Sequence, residues 1–327
     1  MENKNENAII NILKVVFAYI IMLNHIYINY NNSSHIMTFI IMIALNFYFC
    51  TSGFFLFGKM INNPDWKKVF LKYFQEMVKN YLIWSLIMLV FKIPEAFDYI
   101  KDAKAFIVWI LKYMRIVLFI GDYQLWYLLG LIQVLLIVFV AYRSKKFVGC
   151  IVTATVLVLF KYIFILGQTF NIGFIKDVYR IYYLVFGSMR NGLFFGFFPF
   201  VLGGVIYILN NKKMYSKYLF VGSTLLVCLV LCACLLFDNE NMHMIVALLC
   251  GVFLLFTVNN LVIDIRTRIL RKLSSWVFVS HMFFVLLSER IIMVNNYIIE
   301  MIVCFLMVTL CGLIKYDFEL KGKKKYE

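Results

Sequence analysis

The chain has 327 residues, 64% of them hydrophobic and 15% charged, with a mean hydropathy of +0.87. A soluble domain carries about 45–50% apolar residues, so a water-soluble globular fold is excluded. The net charge of +15 sits in loops and tails without the aromatic or groove-reading context of a nucleic-acid surface, so no nucleic-acid partner is expected.

Ala8 to Tyr30 form the first apolar run, behind a short, charge-poor leader without a small-residue cleavage site. No cleavable signal peptide is expected, and the run is read as the first span. It carries Lys14 and, 11 positions later, His25. At roughly 100° per residue that is three turns plus about 20°, so both side chains leave one face, about 16 Å apart along the axis. Asn11, Ala18, Ile21 and Met22 complete the stripe. Ionisable groups are costly against lipid, so the stripe is expected to face protein or a hydrated cavity. A snorkelling lysine and a hydrogen-bonded histidine would satisfy the same pattern.

Runs of about 20 apolar residues, each able to cross a hydrocarbon core of about 30 Å, recur to the end of the chain. They predict an all-α polytopic membrane protein of ten transmembrane helices in a single integral domain. The spans are read at about 8–30, 36–58, 78–92, 123–142, 147–166, 192–210, 218–237, 242–263, 273–290 and 296–316. With the N-terminus inside, the connections 59–77, 143–146, 211–217 and 264–272 and the tail Lys321 to Lys325 are basic and cytoplasmic. The outer connections are uncharged, mixed or, at Asp238-Asn239-Glu240, acidic. This asymmetry is the one expected of a multi-pass cell-membrane protein with both termini cytoplasmic. Abundant Asn, Lys, Ile and Tyr point to an AT-rich bacterial source.

Two outer segments exceed a turn. Ala103 to Phe119 is apolar but interrupted by Lys104, Lys112 and Arg115, which predicts an extra interfacial helix on the outer side. Segment 167–191 carries Lys176, Asp177, Arg180 and Arg190 and reads as a charged outer lid or a solvated loop.

Several motifs recur along the spans. The second holds Asn46-Phe47-Tyr48-Phe49-Cys50-Thr51-Ser52-Gly53-Phe54-Phe55-Leu56. Lys72-Tyr73-Phe74 and Lys79-Asn80-Tyr81-Leu82-Ile83-Trp84 lead into the third, and Gln124-Leu125-Trp126-Tyr127-Leu128 opens the fourth. Residues 190–204 open the sixth, and Ser274-Ser275-Trp276 runs on to Ser280-His281 in the ninth. In this order they resemble the acyltransferase-3 family of integral membrane acyltransferases, most nearly its surface-polysaccharide O-acyltransferase branch. That family's first-span basic residue and following histidine are matched by Lys14 and His25. Its F-F-x-x-S-G-F-L segment is matched by Phe47 to Leu56, and its L-W-[YF]-L by Leu125 to Leu128. The basic entry to the third span is matched loosely by Lys79 to Trp84, and the late S-x-x-x-[YF]-x-x-H approximately by Ser275, Val279 and His281. Asn11 stands where many members have Asp, Lys14 where Arg is commoner, and Lys79-Asn80 where Arg-Pro is often seen. No C-terminal hydrolase-like domain follows the spans, so transfer to the final acceptor is expected within the membrane domain or on a partner.

The resemblance implies acyl transfer, usually of acetyl, from acyl-CoA to a hydroxyl of a surface glycan or its lipid-linked precursor. A thioester attacked by an alcohol needs a base near neutrality, which suits His25 as general base or transient acyl carrier. Lys14 would hold a CoA phosphate or neutralise developing charge, with Lys72 and Lys79 as further CoA contacts. Gln124 and Trp126 would bind sugar, although a tryptophan there also suits the interfacial belt. His281 is either a second active-site group, on the substrate side, or a satisfied core histidine.

No metal is expected, because no two His, Cys or carboxylate ligands share a core helix at i, i+3 or i, i+4. Cys50, Cys150, Cys228, Cys232, Cys234, Cys250, Cys304 and Cys311 read as small buried hydrophobes. His35 and His243 read as solvated or interfacial, and no Asp or Glu is seen deep in a span to orient His25. The rival reading is a transporter or flippase of a glycan or small solute without acyl chemistry. It wants broken helices at the midplane, yet of Pro64, Pro94 and Pro199 two lie in loops.

Overall fold

The computed structural model describes residues 8–30, 35–99, 102–189, 191–211, 247–252, 254–255, 267–293 and 296–324. Among them the regular structure is entirely helical. In chain order the helices are α1 (Ala8–Asn29), α2 (His35–Ile61), α3 (Trp66–Leu89), α4 (Ile93–Tyr99), α5 (Ala103–Arg115) and α6 (Leu125–Thr169). There follow α7 (Gly173–Phe186), α8 (Phe197–Asn211), α9 (Arg268–Leu287) and α10 (Tyr297–Lys324). Three π-helical turns, Ile116–Ile120, Gly192–Gly196 and Ser288–Ile292, adjoin α5, α8 and α9. Six described stretches are long and apolar enough to cross a membrane: Ala8–Asn29, Ile36–Ile61, Leu125–Ile165, Gly192–Asn210, Arg268–Ile292 and Tyr297–Glu319. The protein is an all-α polytopic membrane protein.

Leu125–Ile165 is 41 residues long, about 60 Å of helix, or twice the hydrocarbon thickness. It does not run straight. Lys145 and Lys146 leave helical geometry, Lys146 at φ 54°, so the stretch is two helices joined by a tight turn within the basic segment 143–146. The Lys146 ammonium sits over the rings of Trp66 and Tyr142, 5.7 and 5.8 Å from their centroids.

The chain forms two compact units, Met1–Tyr48 with Met214–Glu327, and Phe49–Lys213, the division falling inside α2. In the first, α1 lies chiefly against α9, and α9 against α10. The α1 face that packs carries Ile10, Asn11, Phe17, Ala18, Ile21 and Met22, while Ile12, Val16 and Ile28 point outward, as lipid-facing residues should. Nδ2 of Asn11 donates to Oγ1 of Thr267, the residue capping α9, at 2.9 Å with both groups buried. Asn11 thus ties the start of α1 to the start of α9, which an aspartate could do only by accepting.

In the second unit α2 and α8 meet backbone to backbone. A Cβ added to Gly53 would sit 1.8 Å from the Phe200 carbonyl oxygen, and one on Gly203 would sit 1.9 Å from that of Cys50. Small residues permit such contacts between membrane helices. Gln133 of α6 serves two neighbours: its amide accepts from the Gly192 N–H at 3.0 Å and donates to the Phe119 carbonyl at 3.4 Å. It therefore ties together two of the wide turns, whose backbone groups are less completely satisfied by the helix itself.

Three readings need correcting. The stretch 59–77 is mostly helix, since α2 runs to Ile61 and α3 starts at Trp66, capped by Asp65. Its lysines flank a helix whose buried face is Trp66, Phe70, Tyr81 and Met88, and their stems reach outward from it. Segment 167–191 holds a fourteen-residue amphipathic helix, α7, rather than a loop. Among the described cysteines, Cys50, Cys150, Cys250 and Cys304 are buried but Cys311, on α10, is exposed. Glu300 is buried at 1% exposure, but it lies in the first turn of α10 rather than deep in the span, and its partner is Ser288. The spans expected at 218–237 and 242–263, with Cys228, Cys232, Cys234 and His243, lie largely or wholly outside the described residues.

Candidate active site

The first unit brings its two span histidines together. His25 comes from α1 and His281 from α9, with ring centroids 5.3 Å apart and ring planes inclined by 30°. His281 is fully buried, whereas His25 keeps partial exposure. Phe278 packs edge-on to His281 at 6.4 Å and in turn against Tyr48 of α2 at 4.5 Å. The Tyr48 hydroxyl donates to the backbone carbonyl of Lys14 at 2.5 Å. One chain of contacts, from His281 through Phe278 and Tyr48, therefore runs back to Lys14.

Nδ1 of His281 lies 3.1 Å from the Val277 carbonyl oxygen, and its Nε2 is buried with no hydrogen-bond partner among the described residues. A carbonyl only accepts, so Nδ1 carries the hydrogen and Nε2 the lone pair. A buried acceptor left open is uncommon in native packing. Lys14 is half-buried, and Arg271 on α9 is close enough to act on it electrostatically. Two cations therefore mark the beginning of α1 and α9, and two imidazoles lie about three turns further along α1.

Beyond His281 the buried polar groups continue. The Ser288 hydroxyl lies 3.0 Å from Oε1 of Glu300 and 3.2 Å from the Cys304 thiol. Ser288 is seven residues after His281, so the two lie on nearly the same face. Sequence reasoning missed Arg271, Tyr48, Ser288 and Glu300. The seven-residue spacing of Ser274, His281 and Ser288 was the available signal, since all three prove buried.

The remaining candidates belong to the second unit. Lys72 and Lys79 are exposed on α3, and Lys79 borders an open groove of about 480 Å³ with Phe74, Gln75, Val78, Leu82 and Ile83. Gln124 is buried at 4% exposure. Trp126 is half-buried, edge-on to Phe195 at 5.9 Å.

The family profile described as an acyltransferase domain, that of the acyltransferase-3 family, matches residues 7–317. The chain belongs to the acyltransferase-3 family. No curated protein and no solved structure matches it. The matched segment includes His25, His281, Lys14 and Arg271.

Proposed function

We propose that this membrane acyltransferase moves an acyl group, acetyl in the simplest case, from acyl-CoA to a hydroxyl of a cell-surface polysaccharide or its lipid-linked precursor. The observation that carries the reading is the stacked His25–His281 pair with the His281 Nε2 lone pair left open. Alcohol attack on a thioester needs one group to take the hydroxyl proton and return it to the leaving thiolate. His25, the more accessible ring, takes it as the oxygen adds to the thioester carbonyl. The carbon–sulfur bond breaks, a carbon–oxygen bond forms, and the proton leaves on CoA–SH. His281 gives that proton a second acceptor beside the first.

The cations fit the donor. Lys14 and Arg271 would take the CoA phosphates. The axial distance of about 16 Å between Lys14 and His25 matches the reach of an extended pantetheine arm. On the charge asymmetry of the loops, the phosphates would then enter from the cytoplasm and the thioester would reach toward the outer half of the bundle. Lys72 and Lys79 are proposed as further donor contacts, and Gln124 and Trp126 as acceptor contacts; no metal takes part in this scheme.

The test is mass analysis of surface glycans from a deletion strain complemented with wild type, His25→Ala, His281→Ala or Lys14→Ala. Ester should be restored by wild type and absent or strongly reduced with each variant. Equal ester in all four strains would remove the assignment.

A further inference from the structure

Within the first unit, α1 and α9 meet at two places that are spaced alike on both helices. Asn11 and His25 stand 14 residues apart on α1, and Thr267 and His281 are also 14 apart, from the start of α9 onward. Asn11 donates to Thr267 at 2.9 Å, and the rings of His25 and His281 stack at 5.3 Å. Matching contacts at equal separations require the two helices to run parallel and in one register. Fourteen residues are two heptads, so each helix returns to nearly the same side, about 21 Å further on. Midway between the two places, Ala18 and Ser274 are both buried.

Thr267 stands at the N-cap position of α9, where a hydroxyl ordinarily accepts from the backbone of the first turn, yet it makes no such bond. It takes the Asn11 amide instead, with both residues buried. Most of the buried seam beyond is apolar: Phe17, Ala18, Ile21 and Met22 on α1, Val277 and Phe278 on α9. The Ser274 and Ser280 hydroxyls turn back to carbonyls of their own helix. Apolar contacts hold helices together but discriminate poorly between neighbouring registers, whereas a buried amide with one partner fits only one. Past the histidines, the bond from Asn29 to Glu289, at 3.3 Å, is exposed, so water competes for it.

We propose that Asn11 and Thr267 are positioning residues, a register lock that holds the His25 ring against His281 from about four turns away. This rests on the reading of the histidine pair as the catalytic centre. Without the lock, a slip of one residue would carry His25 about 1.5 Å along the axis and about 100° around it. Misplacement of about 1 Å is enough to cost a catalytic group roughly 100-fold in rate. Between membrane helices no hydrophobic force restores the register, since lipid is as apolar as the seam.

The experiment uses the full chain in nanodiscs with Asn11→Leu, Thr267→Val, both together, or Asn11→Asp. One arm measures kcat and KM for acetyl-CoA, and the other follows the nitrogen-15 signals of His281 with and without His25→Ala. In wild type, removing the His25 ring should move the His281 signals, because the rings are stacked. In Asn11→Leu and in Thr267→Val that response should shrink or vanish, and kcat should fall about 10-fold or more with a smaller change in KM. The double variant should be no worse than either single one, because the same bond is lost in all three. Asn11→Asp should keep most of the activity, since its carboxylate accepts from the Thr267 hydroxyl. Losses that add in the double variant would mean two separate packing defects and overturn the lock. So would a wild-type kcat with an unchanged His281 response in both single variants, or a rise in KM alone, which would tie the bond to Lys14. If wild type transfers no acetyl while Asn11→Leu abolishes the His281 response, the lock stands and the acyl-transfer reading fails.

Discussion

Nδ1 of His281 lies 3.1 Å from the carbonyl oxygen of Val277, one turn earlier on α9. The helix backbone itself therefore fixes the tautomer, a task that falls in many enzymes to a carboxylate. The chain contains four histidines, so nitrogen-15 NMR of histidine-labelled protein can be assigned by single substitutions. The His281 signals should report a hydrogen on Nδ1 and a bare Nε2. A hydrogen on Nε2 would contradict the arrangement.

In the proposed scheme Lys14 and Arg271 bind the donor, while the chemistry falls to the histidines. Lys14→Met should raise KM for acetyl-CoA by about 10- to 100-fold, the loss of one charge-assisted contact, with kcat changed far less. Lys14→Arg should stay near wild type, because a guanidinium also binds phosphate. A collapse of kcat at constant KM would instead place the ammonium at the reacting carbonyl.

The opening stripe of Lys14 and His25 was legible because both residues lie on one helix, where spacing alone settles the face. The pairing of His25 with His281 was not, since 256 residues separate them and only the packing of α1 on α9 brings them together. The start of α3 was misread for a different reason. Lys67, Lys68 and Lys72 look like a basic loop, yet Trp66 and Phe70 among them recur at helical spacing and are buried. In α7 the charges of Lys176, Asp177 and Arg180 hid the same periodicity, because an amphipathic helix at an interface needs a polar face. Glu300 sits one turn inside α10, where Ser288, twelve residues earlier in the chain, donates to it at 3.0 Å.

The α2–α8 contact leaves no room for a side chain. Gly203→Ala and Gly53→Ala should each lower stability by about 1–3 kcal/mol or more, since the atoms in the way are backbone carbonyls that cannot rotate aside. The check is the thermal unfolding midpoint of detergent-solubilised protein. Midpoints equal to wild type would mean that the two helices stand further apart.

Gln133 joins the turn after α5 to the turn before α8 through one side chain. Gln133→Leu keeps the volume but removes both hydrogen bonds, and should cost about 1–3 kcal/mol by leaving the Gly192 N–H without its partner. Gln133→Glu should be milder, because a carboxylate still accepts from that N–H. Hydrogen exchange at residues 192–196 should speed up in Gln133→Leu, and unchanged exchange would show that the bridge contributes little.

The most direct measurement is transfer of radiolabelled acetyl from acetyl-CoA to de-esterified surface glycan by the purified protein in nanodiscs, comparing wild type with His25→Ala. The histidine pair predicts base-labile label in the glycan with wild type and a rate about 10²- to 10⁴-fold lower with His25→Ala, the usual contribution of a general base. Label appearing at the same rate in both would contradict it.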